Sequence, residues 1–99
     1  MKSGDDKIEI ENFTSPGKVY RVDRTKFEAM REALLAVLPS GKPGIAVAQA
    51  KALLLPMLPQ DLFPGGEKAG WWLKAAQLDL EAKGVVQRET TKPLRLFKP

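Results

Sequence analysis

Ninety-nine residues with 16 lysines and arginines against 12 aspartates and glutamates carry a net charge of +4, and the chain contains neither cysteine nor histidine. That length is one domain with room for one modest core. Without Cys and His there is no disulfide framework, no thiolate or imidazole metal site and no Ser-His-Asp or Cys-His nucleophile pair, while a carboxylate-only metal or acid/base site remains open, so chemistry is curtailed rather than excluded.

Residues 1–7 are polar and acidic and predict a disordered tail, with no apolar run of the kind a signal peptide needs. A single domain is expected over 8–99. Its first part, 8–23, is an N-terminal hairpin or arm. Ile8-Glu9-Ile10-Glu11 alternates apolar and polar as a half-buried strand does, and Lys18 to Asp23 is a second β-prone stretch. Pro16-Gly17 between them suits the centre of a type II turn. Two strands alone are marginally stable, so this hairpin must lean on another element.

A helical core is expected over 25–83. Thr25 and Glu28 have capping-box spacing, and Phe27, Met30, Leu34, Val37 and Leu38 then mark one face of a helix ending at Pro39. Residues 40–44 form a loop by composition. Its Gly41-Lys42 pair is no phosphate loop, because Ala36 stands where that motif requires glycine. A second helix, Ala46 to Leu55, lacks a capping side chain and is ended by Pro56. Leu53 to Leu58, the longest strongly apolar stretch, is far too short to cross a bilayer. A third helix, Glu67 to Lys83, stops at Gly84. Residues 85–89 and 94–97 read as two short strands, forming a C-terminal hairpin over 85–98.

The charge is uneven along this plan. Residues 1–40 hold seven basic and seven acidic side chains, whereas residues 84–99 hold Arg88, Lys92, Arg95 and Lys98 against Glu89 alone. Three of the four surplus charges thus fall in the last hairpin, where they serve either phosphate contact or solubility of a sheet edge.

Three helices followed by a β-hairpin is the element order of a winged helix-turn-helix domain. Leu80-Glu81-Ala82-Lys83-Gly84-Val85-Val86-Gln87-Arg88 resembles the L-E-x-x-G-[LV]-[IV]-x-R junction between recognition helix and wing of bacterial winged-helix regulators. The whole chain also resembles a small family of uncharacterised bacterial proteins, through blocks that include Tyr20-Arg21-Val22-Asp23, Phe63-Pro64-Gly65-Gly66 and Lys68-Ala69-Gly70-Trp71-Trp72. The likeness to that family brings no activity with it; the winged-helix resemblance implies an α+β fold, a three-helix core followed by a C-terminal wing, with an additional N-terminal β-hairpin. It implies double-stranded DNA as partner, with Lys68 and Lys74 facing it from the third helix and Arg88, Lys92 and Arg95 from the wing.

The third helix itself argues differently. At roughly 100° per residue, Ala69, Leu73, Ala76 and Leu80 share one face, the core side. Trp71, Ala75, Leu78 and Ala82 fall nearly opposite, where a base-reading helix should be polar. Its lysines are balanced by Glu67, Asp79 and Glu81, and it has no Arg, Asn, Ser or Thr to pair with a base edge. A stripe led by Trp71 and Leu78 is expected to be covered by the N-terminal hairpin or to form an interface with a second copy or another protein. Trp72, between the two faces, reads as a packing residue at the rim of the core.

The expected function is therefore that of a non-enzymatic, cytoplasmic winged-helix module binding DNA chiefly through phosphate contacts from the wing, possessing no cofactor, metal or membrane segment. The alternative is a protein-interaction or dimerisation module using the Trp71/Leu78 face.

Overall fold

The computed structural model describes residues 6–99. Of the expected N-terminal tail, residues 1–5 lie outside that range. Lys7 already belongs to the first strand, and Asp6 is tied to Arg24 by an ion pair of 2.9 Å.

The alternation around Ile8 and Ile10 produces strand β1 (Lys7–Glu11), which pairs antiparallel with β2 (Val19–Asp23) so that Ile8 faces Val22 and Ile10 faces Tyr20. Gly17 in the connection sits at φ 90°, a conformation that glycine adopts without a Cβ clash. Strand β2 runs without a loop into helix α1 (Arg24–Val37). The helix consequently starts earlier than the capping box at Thr25 predicts. Asp23 is the N-cap, and its carboxylate accepts from the Lys26 N–H at 2.9 Å. Helix α1 buries Phe27, Met30, Ala33 and Leu34, the face its spacing indicates, and Leu38 continues the buried row beyond its end.

The loop after α1 ends in a strand that periodicity does not reveal, β3 (Ile45–Ala46), which pairs antiparallel with the last strand of the chain. Gly44 allows this approach: a Cβ there would lie 2.3 Å from the Leu96 carbonyl oxygen. Helix α2 (Val47–Leu54) follows with no side-chain cap and gives way to a 3-10 turn around Pro56. Phe63 is fully buried and packs edge-on against Trp72 at 6.4 Å between ring centroids.

Helix α3 (Ala69–Ala82) begins two residues later than the sequence suggests, because Lys68 takes a left-handed conformation at φ 59°. Its end is a Schellman motif: Val85 N–H donates to the Leu80 carbonyl at 2.9 Å and Gly84 N–H to that of Glu81 at 3.2 Å. That turn takes up Val85, so strand β4 (Gln87–Glu89) is shorter than expected and pairs with β5 (Arg95–Phe97). The second sheet has the order β3-β5-β4. The core lies between α1, α2, α3 and the inner faces of both sheets, with Ala69, Leu73, Ala76 and Leu80 of α3 buried as expected. The described residues form a small α+β domain of three α-helices and two small sheets.

Candidate interaction surface on the third helix

The outer face of α3 is divided. Its C-terminal half is closed by the hairpin and the strand that follows the helix. Phe13 N–H donates to the Leu78 carbonyl at 3.2 Å, and Glu11 N–H donates to Asp79 Oδ1 at 2.8 Å. Leu78 is buried beneath this crossing. Asp79 is wholly buried, and its charge is met by Lys83, one turn on, at 2.8 Å.

Arg88 comes back over the same half. Its Nη2 donates to Glu81 Oε1 at 2.8 Å and its Nε to Oε2 of the same carboxylate, which Gln77 Nε2 also reaches at 3.1 Å. The Glu81 side chain is 1% exposed and that of Arg88 25%. The hydrogen bond to Glu81 raises the Arg88 pKa above its ordinary value, against a smaller opposing effect of burial. The guanidinium also lies 4.9 Å from the centre of the Phe13 ring, so the β4–β5 hairpin and the N-terminal hairpin meet over the end of α3. The winged-helix resemblance implies a phosphate contact for Arg88. Its carboxylate partner stands seven positions earlier, inside the very junction motif that suggested the fold, and this pairing is what charge totals overlook.

Arg95 is likewise turned inward: Nη1 donates to the Gly44 carbonyl at 3.1 Å and the residue is half-buried. Lys92, between β4 and β5, is exposed. Of the five residues expected to contact DNA, Lys68, Lys74 and Lys92 are exposed, while Arg88 and Arg95 are engaged within the protein.

The N-terminal half of α3 is open. Trp71 is 58% exposed, although it is held edge-on against Trp72 at 5.0 Å between centroids. Trp72 is buried at the margin of the core, with the Lys26 ammonium 6.0 Å from its ring centre. Between α3 and the hairpin runs an open groove of about 400 Å³. Ile10, Val22, Ala75 and Leu78 contribute its apolar lining, Tyr20 (44% exposed) and Trp71 its aromatic one, and Arg21 and Lys74 its cations. The structure thus brings Trp71, Lys74 and Leu78 together and adds Tyr20 and Arg21, which the helix periodicity could not supply because they belong to a different element.

Among the described residues no cluster of three or more acidic side chains is placed to hold a metal ion, and no helix is long and apolar enough to cross a membrane. Comparison with curated proteins and with solved structures finds no match. A sequence-family match extends over residues 7–96, from the start of β1 to the middle of β5, and by it the chain belongs to the family of unknown function DUF6958.

Proposed function

We propose that the protein is a non-enzymatic, cytoplasmic winged-helix module that docks a protein partner on the outer surface of α3. The winged-helix reading is supported by the order α1-β3-α2-α3-β4-β5 and by β3 pairing with β5 at the edge of the wing sheet. The docking reading rests on one observation: a tryptophan and a tyrosine remain exposed on an apolar groove whose floor the fold otherwise covers. Exposed apolar surface with aromatic anchors and a polar rim is the composition of protein interfaces.

A second reading, duplex DNA binding, is favoured by the exposed Lys68, Lys74 and Lys92. It has lost two of its five expected contacts to internal bonds, and α3 offers Trp71 and an alanine-rich surface where bases would be read. Titration of duplex DNA against salt separates the two readings. Under the docking reading, duplex binding at low salt is weak and leaves the Trp71 indole resonance unmoved. Tight binding whose salt slope falls when Lys68, Lys74 and Lys92 are replaced by alanine would overturn it in favour of DNA.

A further inference from the structure

We infer that the groove between the hairpin and α3 receives an acidic protein segment, anchored by one aromatic or branched aliphatic side chain between Tyr20 and Trp71. This rests on the docking reading above and specifies its partner. Two features of the groove choose the occupant.

The first is the nature of the floor. Ile10, Val22, Ala75 and Leu78 offer no side-chain hydrogen-bonding group, so a nucleic-acid base inserted edge-first would bury its polar edge without partners on the floor. The nearest amide, Asn12, already uses its carbonyl oxygen to accept from the Thr14 N–H at 2.8 Å and the Thr14 hydroxyl at 2.6 Å. An apolar side chain meets no such cost, and the volume is at the small end of ligand-sized clefts.

The second is the charge. Arg21 reaches the groove from β2 and Lys74 from α3, so cations stand on both walls. Among the described residues neither makes an ion pair, in contrast to Arg24, Arg31, Lys83 and Arg88, all of which do. Glu11 is the acidic residue on the lining, and Glu9 stands opposite Arg21 on the ladder without closing a bridge to it. Lys68 adds a further exposed cation at the start of α3. A second copy of a chain with net charge +4 would bring the same cations to the contact, whereas an acidic segment relieves them.

Random peptides displayed on phage and selected on the full chain test this, with Trp71→Ala and Tyr20→Ala as subtraction controls. Trp71 is more than half exposed and Tyr20 nearly half, and thermal unfolding verifies that each variant is folded. The expected pool carries Asp or Glu on both sides of a Phe, Trp or Leu, and its binding weakens as salt rises. Arg21→Glu combined with Lys74→Glu should weaken these peptides on the order of tenfold. On the doubly reversed protein, selection should turn to basic peptides with the same anchor. A Trp71-dependent pool with basic or neutral flanks, or acidic peptides indifferent to the charge reversal, overturns the acidic partner while the docking reading stands. Absence of any Trp71-dependent peptide overturns both. Tighter Trp71-dependent binding of oligothymidine than of any selected peptide also overturns the acidic partner.

Discussion

The two halves of α3 use similar side chains to opposite ends. In the C-terminal half, Asp79 and Glu81 are buried and each is met by a cation and by a further donor: Lys83 and the Glu11 N–H for one, Arg88 and Gln77 for the other. In the N-terminal half, Lys68 and Lys74 are exposed beside Trp71, and among the described residues neither forms an ion pair. Charge inside the first half serves the fold, because a buried carboxylate must be compensated to remain there. Charge on the second half is available to something else. A positive residue in the C-terminal hairpin is therefore poor grounds for nucleic-acid binding until its internal partners are known.

The strongest way to break this contrast is Arg88→Ala, which leaves the nearly inaccessible Glu81 carboxylate without its bidentate partner. A loss of about 3 kcal/mol of unfolding free energy is expected, read from the midpoint of urea denaturation. Removing both charges with Glu81→Leu and Arg88→Leu should recover most of that loss, since the pair is costly mainly when halved. The sign of its pH dependence also follows. The Arg88 pKa is raised on folding by the bond to Glu81, so its contribution is fully present below the ordinary arginine pKa. It is lost only as pH climbs through the raised value, so this group gives no loosening of the β4–β5 hairpin in the neutral range.

Gly44→Ala attacks the same region through packing. The added Cβ would sit 2.3 Å from the Leu96 carbonyl oxygen, which is backbone and cannot rotate away, so β3 must part from β5. The expected cost is about 2 kcal/mol, visible as a lower Tm and as faster hydrogen exchange at Leu96. Docking at Trp71 should survive in the folded fraction, because the groove is built from the other sheet.

At the start of α1, Asp23→Ala should cost about 1 kcal/mol and Thr25→Ala close to none, by thermal unfolding. This pair of variants exposes what the sequence could and could not convey. A Thr three residues before a Glu satisfies the capping pattern, yet the pattern cannot register that β2 ends without a loop, which places Asp23 at the cap instead. Strand β3 was hidden for a related reason: two residues have no periodicity, and its partner lies about fifty positions away. The core face of α3 was legible because four residues at helical spacing carry it. Its outer stripe was legible as a whole but not in its division. How far the hairpin reaches depends on hydrogen bonds from Glu11 and Phe13 to α3, and these bury Leu78 while stopping short of Trp71.

A small expected change in stability, at Trp71, sharpens the contrast most. Trp71→Ala removes a large aromatic side chain, and in a core position that would cost several kcal/mol. Here the ring is more than half exposed and its main contact is edge-on to Trp72, so the loss should be at most about 1 kcal/mol, by the same denaturation measurement. A protein keeps such a side chain on its surface at a cost in exposed apolar area, and folding recovers little of it. If Trp71→Ala instead unfolds the domain as Arg88→Ala is expected to weaken it, the two halves of α3 are equally structural and the open groove is simply a margin of the core. If stability holds while partner capture is lost, the tryptophan is present for the contact it makes outside the chain.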